Sequence, residues 1–200
     1  SANFMQTILL NSDAMEAAYK EEFGKDIEYS KAVLKAVKKN PLIDKPTASM
    51  EWLHRFLNNE PVFLGSTTKI FKNVGDVKQD KAPIGITTFS KMRTNEKGVY
   101  EAEPIYNLKP AFGVSYPTAL MVADMAPHPN AAKLLIRYMM DEGFKPWDEP
   151  GDYAARAPIE ARQVKEYGLP AFKDLGLIAI DPDEVYNSKY GFLALYLSLN

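Results

Sequence analysis

Pro61-Val62-Phe63-Leu64-Gly65-Ser66-Thr67-Thr68, Pro83-Ile84-Gly85-Ile86-Thr87-Thr88-Phe89-Ser90 and Thr118-Ala119-Leu120-Met121-Val122-Ala123-Asp124 follow one another in the stretch 61–142, and their reading decides the fold. Short apolar runs bounded by Gly and Pro predict buried strands at 62–64, 83–88 and 118–124. Helix signals lie between and after them. A helix from Thr67 to about Val74 ends at Gly75. In Ala126-Pro127-His128-Pro129-Asn130-Ala131-Ala132-Lys133, Pro129 suits the first position of a helix over 130–141, where a missing N–H costs nothing. Tyr100–Tyr106 alternates enough for one more strand, which places Glu101 and Glu103 on one face. Helices alternating with short apolar strands predict an α/β layer structure with parallel strands.

Upstream, Ser12 or Asp13 caps a helix that carries Met15, Ala18, Tyr19 and Phe23 at helical spacing, and Gly24 supplies its left-handed end. Tyr29–Val37 reads as a second helix with Val33, Leu34 and Val37 on one face and a lysine-rich solvated face. Pro46-Thr47-Ala48-Ser49 opens a third, with Trp52, Leu53, Phe56 and Leu57 buried, stopping before Pro61. Downstream, Pro110–Pro117 reads as a connection and Gly143–Pro158 as a long ordered loop. Ile159–Tyr167 is a short helix closed by Gly168. Asp181-Pro182-Asp183-Glu184 is a strong start for a last helix, which carries Val185, Tyr186, Phe192, Leu193, Leu195, Tyr196 and Leu199.

The totals narrow the function classes. Two hundred residues fit one domain or two small ones, and 46% hydrophobic with 25% charged residues is an ordinary globular composition. A net charge of -2 offers no basic face for nucleic acid or for an acidic membrane. No apolar run approaches the roughly 18–20 residues of a membrane-spanning helix. The absence of cysteine excludes disulfides, thiolate metal sites and a cysteine nucleophile. The chain opens Ser1-Ala2-Asn3-Phe4, without Met, which reads as a mature, trimmed or excised form.

In order and spacing, the segments from Asn59 to Gly143 resemble the second half of the class II periplasmic solute-binding proteins of the ferric-iron and sugar-phosphate type. These are the extracellular capture components of ABC importers. The resemblance implies a type II periplasmic-binding-protein-like α/β fold. Residues 1–111 would form the ligand-binding lobe, lacking its first strand. Residues 112–142 would be a crossover strand and helix belonging to the other lobe, and 143–200 a C-terminal loop and helices packing on both. Members of that family are much longer, so the chain reads as the C-terminal part. Leu120, Val122, Leu134 and Leu135 would then need cover, from a missing N-terminal segment or by self-association. The implied partners are a small-molecule ligand and a membrane permease, with no nucleic acid, no cofactor and no catalysis. The implied location is periplasmic or extracellular, and a membrane-associated lipoprotein is compatible with it.

Three places qualify as a ligand site. At Gly65-Ser66-Thr67-Thr68 a strand end feeds a helix start, which presents free amides and a positive dipole end, and the hydroxyls of Ser66, Thr67 and Thr68 add donors. Such a site favours a phosphate or carboxylate; plain helix capping by Ser66 explains the same residues. At Thr88-Phe89-Ser90, iron-binding members carry adjacent tyrosines. Phe89 and Ser90 supply no phenolate, so hydroxyl donation to an oxyanion or sugar is expected in place of ferric ion. Tyr116 lies on the presumed crossover beside Gly113, where it would line a cleft or pack structurally. The competing readings are a hydrolase with carboxylate catalysis at Glu101 or Glu103, although no nucleophile accompanies them, and a ferric-iron-binding protein of the same family. His54 and His128 read as surface or capping residues, and Tyr19-Lys20-Glu21-Glu22 and Asp148-Glu149 as solvated faces.

Overall fold

The computed structural model describes residues 2–199. In chain order it contains helices α1 (Ala2–Leu10), α2 (Ser12–Phe23), α3 (Lys31–Lys39), α4 (Ala48–Asn58) and α5 (Thr67–Gly75). Strand β1 (Gly113–Ser115), helices α6 (Pro129–Met139) and α7 (Ala157–Tyr167), strand β2 (Leu177–Ala179) and helix α8 (Pro182–Leu199) complete it. Three 3-10 segments, Phe89–Thr94, Glu142–Trp147 and Phe172–Asp174, lie between them. The architecture is mixed helix with one small parallel sheet, which is loosely α/β.

The chain forms two compact units. The first comprises residues 1–62, 106–116 and 176–200; the second comprises 63–105 and 117–175. These boundaries fall at 62, 105, 116 and 175, whereas the family resemblance divides the chain at 111 and 142.

The first unit has a helical core. Met5, Val33, Ala36, Leu53, Leu195 and Leu199 are buried together, with Trp52, Phe56, Leu57 and Phe192 packed against them. Side-chain caps hold three of its helices, whereas α2, expected to be capped by Ser12 or Asp13, starts after Asn11 with no side-chain capping bond. Ser30 and Thr47 accept hydrogen bonds from the amides of Val33 and Met50 at the starts of α3 and α4. The Asp181 carboxylate accepts from the amides of Asp183 and Glu184 ahead of α8. Gly24 ends α2 at φ 66°, the left-handed conformation in which glycine carries no Cβ penalty. Leu34 departs from its expected face: α3 buries Val33 and Ala36, and Leu34, one residue round the helix, is exposed. Phe23 is exposed as well, its ring tilted against that of Tyr19 with centroids 4.6 Å apart.

Sequence reading carried no expectation for α1. Its apolar residues are interrupted by Gln6 and Thr7, which are themselves buried. The Gln6 amide donates to the carbonyl of Val185 at 3.1 Å, and the Thr7 hydroxyl to that of Asn3 at 2.8 Å. Ser49, fully buried on α4, donates to the carbonyl of Ile8 at 2.7 Å and locks α1 to α4.

The strands are where expectation and structure part. None of 62–64, 83–88, 100–106 or 118–124 enters a ladder, and Tyr100 makes only isolated bridges to Asp76 and Glu96. β-branched and apolar residues favour extended backbone, but a ladder needs a neighbouring strand, and none lies beside these segments among the described residues. The one sheet pairs β1 with β2 in parallel, Gly113 with Leu177 through Ser115 with Ala179. The segment expected as a connection between lobes, 110–117, thus supplies a strand.

In the second unit Phe71, Ala154, Gln163 and Leu175 are buried. The expected ordered loop 143–158 is pinned to α7 by Gln163. Its Oε1 accepts from the amide of Ala154 at 3.0 Å and its Nε2 donates to the carbonyl of Asp152 at 2.8 Å. Gly168 closes α7 at φ 65°.

Candidate functional site

Helix α5 begins where the sequence places it, with Ser66 as its cap. The Ser66 hydroxyl accepts from the amide of Lys69 at 3.1 Å, which satisfies one of the free donors at the helix start. The capping role is therefore real. The amides of Thr67 and Thr68 lie in the same first turn, and at a helix start such amides carry the positive end of the dipole. Ser66 is exposed; Thr67 and Thr68 are half-buried.

The second hydroxyl segment lies beside this turn. The Thr87 hydroxyl donates to the carbonyl of Thr67 at 3.0 Å, across twenty residues of sequence. Gly85 makes the approach possible. A Cβ at that position would overlap Val74 Cγ2 and come within 3.1 Å of Ile70 Cγ2, both on α5. Segment 83–88 therefore runs against α5 although it joins no sheet. Thr88, half-buried, ends this segment and precedes the 3-10 turn Phe89–Thr94 without a side-chain capping bond.

Phe89 and Ser90, both expected at a ligand site, pack against neighbouring residues. Ser90 is buried. Phe89 stacks on Tyr153, with ring centroids 6.4 Å apart. Gly151, at φ 87°, closes over both. A Cβ there would lie 2.7 Å from the Phe89 carbonyl carbon and 2.8 Å from the Ser90 nitrogen. These two residues anchor the turn on which Thr88 sits. Tyr116 belongs to the first unit, follows β1 and is exposed. The structure thus brings Thr87 to the end of α5 that carries Ser66, Thr67 and Thr68, with Thr88 next along the chain and Phe89 and Ser90 as packed support.

The sequence reading missed Lys69. It sits exposed in the first turn of α5, where a cation adds charge suited to an anion. Its signal was its position three residues after the cap.

The remaining candidates are engaged elsewhere. Glu101 accepts the amide of Gly98 at 2.7 Å, and its own amide donates to the carbonyl of Gly75 at 2.7 Å, so it braces a turn. His54 Nε2 pairs with the Asn58 side chain at 3.0 Å within α4. The acidic pair Asp148-Glu149 corrects the expectation of a solvated face: Asp148 pairs with Arg162 and Glu149 with Arg93, and both carboxylates are largely covered. Among the described residues no group of three or more His, Asp or Glu side chains is arranged to hold a metal ion. No helix among them is long and apolar enough to cross a membrane.

Compared with protein-family models, curated proteins and solved structures, the chain matches none.

Proposed function

We propose that this chain is the ligand-capturing part of a solute-binding protein that serves an ABC-type importer, with a type II periplasmic-binding fold completed by a further lobe. The solute is small and anionic or polyhydroxylated, carrying a phosphate or carboxylate. Its anionic group sits at the start of α5, taking hydrogen bonds from the Thr67 and Thr68 amides and from the hydroxyls of Ser66, Thr67 and Thr68. Thr88 donates from the adjoining segment, and Lys69 adds charge. Delivery is to a membrane permease, outside the cytoplasmic membrane.

The observation that carries this reading is the Thr87–Thr67 hydrogen bond. It joins two hydroxyl-rich turns, distant in sequence, at one helix start. A helix start with free amides and converging hydroxyls is complementary to an oxyanion. Converging donors hold an anion without acting on it, which supports capture.

The test is thermal stabilisation by glycerol 3-phosphate, inorganic phosphate and a neutral sugar. Free ligand at about 100 times Kd adds about 2.7 kcal/mol of stability, a shift well above noise. A phosphate-bearing probe is expected to stabilise the protein. The double change Ser66→Ala and Thr67→Ala is expected to weaken that effect in part, because each lost hydroxyl contributes about 0.5–1.5 kcal/mol and the amides remain. Unchanged affinity in the double variant would reduce Ser66 to a helix cap.

A further inference from the structure

Glu149-Pro150-Gly151-Asp152 turns sharply within the second unit, against the start of the 3-10 segment Phe89–Thr94. The Asp152 amide donates to the Glu149 carbonyl at 3.1 Å. Pro150 stands second and Gly151 third, at φ 87°, which are the marks of a type II turn. Such a turn asks for glycine or asparagine at its third position. The surroundings ask for more. A Cβ on Gly151 would overlap the peptide joining Phe89 to Ser90, so asparagine is excluded as well. The overlap is with backbone, which does not swing aside as a flexible side chain would.

The residues flanking this tip tie it down in two directions. Glu149 pairs with Arg93, near the far end of the 3-10 segment, and the Tyr153 ring stacks on Phe89 at its near end. Behind the tip, α7 holds the loop. Gln163 takes the Ala154 amide and gives to the Asp152 carbonyl, and Arg162 pairs with Asp148. Closure of the turn by itself needs none of these contacts. What they immobilise is the 3-10 segment, which packs against α5 and follows Thr87 by one residue. Thr87 is the residue bonded to the Thr67 carbonyl.

We infer that residues 148–154 are a strap that fixes the anion-binding end of α5, with Gly151, Arg93 and Glu149 as its positioning residues. This rests on the reading of the α5 site given above. None of the three is assigned to the ligand; they act through the backbone of 87–94. The strap holds the 3-10 segment at both ends, the segment holds Thr87, and Thr87 holds the first turn of α5. Helix-start amides and short hydroxyls have little reach, so a small shift of this turn is felt as lost affinity.

The experiment makes two measurements on the full chain: calorimetric titration with glycerol 3-phosphate, and amide hydrogen exchange over 67–70 and 87–94. Circular dichroism checks the fold of each variant. Gly151→Asn, Arg93→Glu and Glu149→Arg are each expected to bind about tenfold more weakly and to exchange faster in both segments. Arg93→Glu combined with Glu149→Arg is expected to recover affinity and protection to within about twofold of wild type, which a general loss of packing would not allow. The charge cycle decides the matter if Gly151→Asn fails to fold, and Arg93→Gln, expected to weaken binding in the same direction, does so if a single reversal fails. Wild-type affinity in the single variants, or wild-type exchange over 87–94, overturns the strap. So does a combined reversal as weak as its parents. Absence of glycerol 3-phosphate binding by the wild type overturns the α5 reading itself, and with it the strap's role in binding. That outcome is distinct from failure of the strap alone, in which the wild type binds and its variants bind equally.

Discussion

Glu51 is the residue where charge and burial meet most sharply in the first unit. Its side chain is 3% exposed, and it accepts from the amide of Ser30 at 2.8 Å and from Arg55 Nε at 2.9 Å. Burial by itself pushes its pKa up, but the Ser30 amide and the Arg55 guanidinium outweigh this, so the net direction is below the ordinary glutamate value. A depressed native pKa contributes stability above the unfolded value and loses it as pH falls through the native one. The urea midpoint of the wild type should therefore drop below about pH 4 more steeply than that of Glu51→Gln. Parallel acid limbs in the two proteins would mean that Glu51 holds no such role. At this scale the sequence was informative at most places where a residue acts on its own neighbourhood, the expected cap of α2 by Ser12 or Asp13 being the exception. Ser66, Thr47, Asp181 and Gly24 all do what local capping chemistry requires. It was uninformative for the Ser30 contact of Glu51 and for Gln6 and Asp148, whose partners lie 14 or more residues away along the chain.

Among the elements, the helices were legible and the strands were not. A helix satisfies its own backbone, so period and caps suffice to announce it. A strand exists only beside another, and nothing local in Ile84-Gly85-Ile86 says whether a partner is present. The reverse error occurred at Gly113–Ser115, where glycine and flanking prolines suggested a connection and β2 supplied a ladder. Helix α1 escaped notice because buried Gln6 and Thr7 break its apolar stripe. The site at α5 depends on the docking of segment 83–88, and this docking is testable. Gly85→Ala places a methyl against Val74 and Ile70. Val74 is β-branched and stiff, so overpacking should cost about 1–3 kcal/mol. Hydrogen exchange should quicken over the first turn of α5 as the Thr87–Thr67 contact loosens. Protection equal to wild type in that turn would show that 83–88 does not support it.

For the whole molecule, the outstanding property is apolar surface. Ile84, Met121 and Met125 are 83%, 85% and 92% exposed, and Leu120, Leu134 and Leu135 are at least half exposed. Large apolar side chains exposed to water are adhesive where they gather. Light scattering should give an apparent mass that rises with concentration above 22.4 kDa, and Ile84→Lys with Met121→Lys should lower it. A strictly monomeric protein at high concentration would mean that these side chains are tolerated singly. The interleaving of the two units has a consequence for how the protein is made. The first unit draws Met5, Val33 and Leu53 from the start of the chain and Leu195 and Leu199 from its last helix. The second lies wholly within residues 63–175. On the ribosome, α1, α3 and α4 must emerge and wait through the synthesis of everything between, their apolar faces uncovered, until α8 arrives. The second unit has all its residues earlier and is free to close first. Vectorial synthesis thus inverts the order of completion between the two units: residues 1–62 precede the second unit on the chain, yet the first unit closes only after residues 176–200 have followed it, and in that interval its helices are natural clients of a chaperone.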